Sequence, residues 1–132
     1  AAPRAAAGRA ARGTETVLVA EDDAALRAVV VRVLKRAGYE VLAAGDGEAA
    51  LRLFKEHKER VALALLDVVM PCREGYEVYE AAAPLKPDLK VLFMSGYSQL
   101  DAQSAVRMGL PFIQKPFSPE ALTLRVREAL DA

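Results

Sequence analysis

The amino-acid sequence predicts an α/β domain in which five parallel strands form one sheet covered on both sides by five helices. Three observations predict it. Five short apolar runs alternate with stretches of helical periodicity, the pattern of repeated βαβ units. The runs are apolar at successive positions, as in strands buried on both faces. The alternation fills about 117 of the 132 residues, a length that suits a single core.

In chain order, residues 17–20 (VLVA) are an apolar run followed by three acids, a strand ending at a polar loop. Leu26, Val29, Val30, Val33, Leu34 and Ala37 then recur with helical spacing, and Arg27, Arg32, Lys35 and Arg36 lie mostly opposite them. Gly38 stands where glycine ends a helix. Residues 41–44 give the second strand, and Gly45-Asp46-Gly47 turns into a helix carrying Ala50, Leu51 and Phe54. Residues 61–66 are the third strand. After a loop with Pro71 and Gly75, a short helix runs toward Pro84. Residues 91–94 form the fourth strand, a weaker helical stretch ends near Gly109, and residues 112–114 form the fifth strand. Ser118 as N-cap and Pro119 at the first helical position open the last helix, with Leu122, Val126, Ala129 and Leu130 facing inward. Right-handed crossovers leave few topologies, and the flavodoxin-like, doubly wound order 2-1-3-4-5 is the one expected.

Composition narrows the function. Hydrophobic residues make up 53% and charged residues 27%, which fits a folded domain. The net charge is zero and gives no pointer to nucleic acid. No apolar run approaches the ~20 residues that cross a bilayer. Cys72 is the only cysteine and His57 the only histidine, so an internal disulfide framework and a zinc site with several Cys or His ligands are excluded. A reducing, cytoplasmic setting follows. His57, among Lys55, Glu56, Lys58 and Glu59, reads as solvated, and Cys72 as a loop thiol. Residues 1–15 read as an Ala/Arg-rich linker or tail carrying +2, with 16–132 as the domain, at −2.

In an open parallel sheet, ligands bind beyond the carboxyl ends of the strands, at the switch in strand order. The residues that follow the strands there are Glu21, Asp22 and Asp23, then Asp67, Ser95 and Lys115. Asp23 suits a helix N-cap. Several carboxylates in one pocket stay ionised together only with a cation present. Oxygen donors from few side chains suit Mg²⁺, which keeps waters and shares a phosphate oxygen. A lysine and a hydroxyl alongside could orient the remaining phosphoryl oxygens. The set reads as a phosphoryl-acceptor site.

Four segments, in order and at the right strand ends, make the likeness specific: VLVAEDD at 17–23, LLDVVMP at 65–71 with Gly75, MSGY at 94–97 and KPF at 115–117. Together they resemble the response-regulator receiver family of two-component systems. The resemblance implies that Asp67 takes a phosphoryl group from the phosphohistidine of a histidine kinase or phosphotransfer domain. It makes Glu21 and Asp22 the acidic pair, Asp22 the more direct Mg²⁺ ligand, and adds the backbone carbonyl of Val69. Ser95 matches the family's Ser/Thr, Lys115 its lysine, Lys115-Pro116 its cis bond, and Phe112 its switch aromatic, although a plain core aromatic suits Phe112 equally. Val69 and Tyr97 fall where the family flanks the hydrolytic water.

The implied output is a shift in the face of the fourth and fifth helices and fifth strand, with a phosphorylation-linked dimer through the last two helices as one form. Such a domain is a switch whose own activity is limited to autophosphorylation and autodephosphorylation. The segments 94–97 and 109–117 look most like C-terminal receivers of hybrid sensor histidine kinases, and the Ala/Arg stretch reads as the linker before one. A receiver from a stand-alone or DNA-binding regulator is the alternative. An aspartyl-phosphate-forming phosphatase fits poorly, because its second acid, two residues past the first, is here Val69. P-loop and dinucleotide sites lack their glycine-rich fingerprints.

Overall fold

A computed structural model of the chain describes residues 12–96 and 109–132. Its strands are β1 (Thr16–Ala20), β2 (Glu40–Ala44), β3 (Val61–Asp67), β4 (Lys90–Ser95) and β5 (Phe112–Gln114). They form one parallel sheet in the order β2-β1-β3-β4-β5, as the sequence predicts. The helices among the described residues are α1 (Ala24–Arg36), α2 (Gly47–His57), α3 (Gly75–Ala82) and α4 (Pro119–Asp131). A 3₁₀ turn (Ala83–Leu85) follows α3, and the helical stretch expected before Gly109 lies outside the described residues.

Strand side chains alternate between two faces, and each face has its own core. Leu18, Ala20, Leu66 and Phe93 pack with Phe54 of α2 and Val78 of α3. Val17, Val19, Leu65, Leu92 and Met94 pack with Val30 and Leu34 of α1 and Leu122 and Val126 of α4. Both surfaces of the central strands are therefore dry, which is why their sequence reads as unbroken apolar runs.

The helix ends follow the local chemistry. Asp23 caps α1 by accepting hydrogen bonds from the amides of Ala25 and Leu26 at 3.0 and 3.1 Å. Asp46 caps α2 through the amide of Ala49 at 2.8 Å, and Ser118 caps α4 through that of Ala121 at 3.0 Å. At the end of α1, Gly38 has φ 106°, its amide donates to the Lys35 carbonyl, and the Tyr39 amide donates to that of Leu34. This paired closure needs a left-handed residue, and glycine adopts it freely.

Residues 12–15, assigned to the tail by composition, lie against the domain. The Gly13 amide donates to the Ala37 carbonyl at 3.1 Å, and Glu15 pairs with Arg127 of α4 at 2.7 Å.

Candidate functional site

Sheet register assembles the site. Ala20 pairs with Leu66, Asp67 with Met94, and Ser95 with Gln114. Glu21, one residue past β1, is therefore level with Asp67, the last residue of β3. Ser95 ends β4 one position further along, and the Lys115 amide donates to the Ser95 carbonyl at 2.7 Å. Four separate chain segments deliver their polar residues to one end of the sheet because their apolar runs end together.

Glu21 and Asp22 are neighbours with opposite surroundings. Glu21 is fully buried; its carboxylate accepts from the Asp23 amide at 3.0 Å and from Lys115 Nζ at 2.5 Å. Asp22 is exposed at the mouth. Asp67 is buried, and its Oδ2 lies 3.2 Å from Lys115 Nζ. Carboxylate oxygens of Glu21, Asp22 and Asp67 all lie within 4.8 Å of one another.

Three acids thus face one lysine. Burial pushes the Asp67 carboxyl up to about 7, Glu21's charge adds to it, and Lys115 offsets only part. For Lys115, burial works against its charge, but Glu21 and Asp67 outweigh it and hold the ammonium above its usual range. A divalent cation among these oxygens would supply the missing positive charge, so the donor set fits a hard, oxygen-bound ion. Ser95 is fully buried and its Oγ has no hydrogen-bond partner among the described residues. A buried hydroxyl left unpaired costs about 1–3 kcal/mol, which fits a hydroxyl kept for a group that arrives from outside.

The remaining candidates are placed less centrally. Lys115-Pro116 is cis, as the resemblance implies. Phe112 is half-buried, so it is neither a closed core ring nor a free one, and its carbonyl accepts from Arg125 at 2.6 Å. Val69 is 56% exposed beside the site, and Tyr97 lies outside the described residues. Arg27, which the sequence places only on the polar side of the first helix, donates its guanidinium to the Glu21 carbonyl at 2.8 Å and fixes the turn carrying both acids. The visible signal was a lone cation within the first two turns of α1.

The profile of the response regulator receiver domain matches residues 17–127. The chain belongs to this family. Among relatives, it is 37% identical to sensor kinase CckA of Brucella abortus (strain 2308), over 90% of this chain and 13% of the kinase. It is 36% identical to a probable transcriptional regulator, ycf27, of Galdieria sulphuraria, over 88% of this chain and 45% of the regulator. This receiver chain therefore spans less than half of either relative. Among solved structures, the receiver domain of the hybrid histidine kinase CckA superposes with a TM-score of 0.74 at 32% identity, over 87% of this chain and 98% of that one. The receiver is a signal-transduction module of two-component systems, and no helix among its described residues is long and apolar enough to cross a membrane.

Proposed function

We propose that this receiver accepts a phosphoryl group on Asp67 from the phosphohistidine of a histidine kinase or phosphotransfer domain. The observation that carries the reading is the meeting of buried Glu21 and Asp67 with Lys115 and the exposed Asp22 at the carboxyl end of β1, β3 and β5. In the transfer, an Asp67 carboxylate oxygen attacks phosphorus in line. The bond between phosphorus and the imidazole nitrogen breaks, and its electron pair leaves with the imidazole. Lys115, already 3.2 Å from Asp67, balances charge on the transferring oxygens.

Asp22, Asp67, the Val69 carbonyl and, partly through water, Glu21 would hold Mg²⁺, which supplies charge neutralisation for the phosphoryl oxygens. Small exposed residues on α1 (Ala24, Ala25 and Ala28) leave room beside the mouth for a partner's helix. After transfer, the Ser95 hydroxyl bonds a phosphoryl oxygen and Phe112 turns into the vacated space. Both changes shift the population of the β5 face and its flanking helices, a surface open to a phosphorylation-linked dimer.

Likeness to CckA supports a hybrid sensor histidine kinase as the parent, with this domain in the cytoplasm. Likeness to the ycf27 regulator supports a second reading, the receiver of a DNA-binding regulator. Acetyl phosphate with Mg²⁺, followed by borohydride trapping and peptide mass spectrometry, tests the reaction. Label on Asp67 and none in Asp67→Asn is expected; label on any other residue would overturn the assignment.

A further inference from the structure

The loop between β3 and α3 follows directly on Asp67, and an element outside the site holds its tip. At its root the loop is closed by the sheet: the Val68 amide donates to the Met94 carbonyl and the Gly75 amide to the Val68 carbonyl, each at 3.0 Å. At its tip the Arg73 amide donates to the Pro71 carbonyl at 2.7 Å, and Cys72 between them has φ 71°. That is a γ-turn with a left-handed residue at its centre, a strained form that persists only where its surroundings enforce it.

The enforcing contacts come from the first two residues of α2. Gly47 donates its amide to the Pro71 carbonyl at 3.4 Å. Its Cα faces the Arg73 backbone so closely that a Cβ would overlap the Arg73 carbonyl oxygen and come 2.7 Å from the carbonyl carbon. Glu48 accepts a hydrogen bond from Arg73 Nε at 2.8 Å. The start of α2 is itself fixed by the Asp46 cap and by Ala50, Leu51 and Phe54 in the core. The loop is short, so displacing its tip moves Val69 and the backbone over Asp67.

We infer that Gly47 and Glu48 are positioning residues: they clamp residues 71–73 and so set the geometry in which the phosphoacceptor loop meets a divalent cation. The inference rests on the reading of Asp67 given above and extends it to a helix end that supplies no ligand.

Mg²⁺ titration by calorimetry, the rate of Asp67 labelling by acetyl phosphate, and melting in EDTA test it together. Gly47→Ala should weaken Mg²⁺ binding about tenfold or more, as expected when a support behind a metal ligand is displaced. Glu48→Gln and Arg73→Ala should each weaken it about two- to fivefold, the range of an exposed ion pair, with little change in EDTA melting. The charge-swapped pair Glu48→Arg with Arg73→Glu should recover most of the loss. A merely structural contact would move melting and leave Mg²⁺ affinity unchanged. Wild-type affinity in both Glu48→Gln and Arg73→Ala overturns the clamp, whether or not Gly47→Ala folds. A wild-type domain that neither binds Mg²⁺ nor takes label on Asp67 overturns the functional reading, and the clamp with it.

Discussion

Replacing Asp67 by Asn should stabilise the metal-free domain, and the gain should depend on pH. Asp67 ordinarily titrates near 3.8 and is held at about 7 in the fold, first by burial and then by Glu21. Because the folded value is raised, the folded state keeps its proton where the unfolded chain has lost it. Stability is therefore full below pH 4 and falls as pH rises toward 7. A shift of about three units at 1.36 kcal/mol each sets a ceiling of about 4 kcal/mol above pH 7. Water at the mouth, where Asp22 is exposed, raises the effective dielectric and brings the expected penalty to about 2 kcal/mol. Asn removes the charge but keeps the shape, and Lys115 retains Glu21 at 2.5 Å. Urea melts in EDTA at pH 8 should thus show Asp67→Asn more stable by about 2 kcal/mol, or about 8 °C in Tm. At pH 4 the gap should shrink to about 0.5 kcal/mol. Saturating Mg²⁺ should narrow it at pH 8, because only the wild type keeps all three carboxylates for the ion. A gap that ignores pH, or a less stable Asp67→Asn at pH 8, would refute the electrostatic account.

Ser95→Ala should leave metal-free stability unchanged or raise it by up to about 1 kcal/mol, since the lost hydroxyl has no partner; it should also reduce the NMR response of Phe112 to beryllofluoride. Arg127→Ala should cost about 1 kcal/mol at pH 7 by removing the Glu15 and Asp131 pairs. Glu15 is held down at about 2 by Arg127, so its part of that stability is present above pH 4.5 and is lost as pH falls toward 2, as acid melts will show. Lys86→Met should cost about 1–2 kcal/mol, because Lys86 Nζ donates to the carbonyls of Lys58 at 2.7 Å and Val61 at 2.6 Å across the turn into β3. Val69→Asn should shorten the life of phospho-Asp67 by giving the hydrolytic water a polar neighbour, with each tenfold equal to about 1.4 kcal/mol of barrier. Equal decay in both proteins would remove Val69 from that role.

The central strands β1, β3 and β4 were legible because both their faces are buried, so each is an apolar run with its site residue where the run stops. The caps were legible too: Ser118-Pro119 and Gly38 act within a few residues of themselves. The different surroundings of Glu21 and Asp22 were not, since adjacent acids look alike until the turn buries one against Lys115 and leaves the other exposed. Long polar side chains were equally silent. Lys86 reaches carbonyls 25 and 28 residues away, and Arg127 reaches Glu15 across 112 residues. Neither contact has a period, and only the closed fold brings the partners together. Arg73 belongs with them: its meaning depends on Gly47, which in sequence is only a turn glycine.

The Glu15–Arg127 pair, with Lys90 at the start of β4 donating to the Ala132 carbonyl at 2.6 Å, draws residues 12–15 and Ala132 to the amino-terminal rim of the sheet. Asp67 occupies the opposite rim. Residues 12–15 and Ala132 thus share one pole and the acidic cluster the other, which makes the domain a plug-in cassette. A short bridge between Arg12 and Ala132 would run along the rim opposite Asp67 and would suit a circular permutant cut elsewhere.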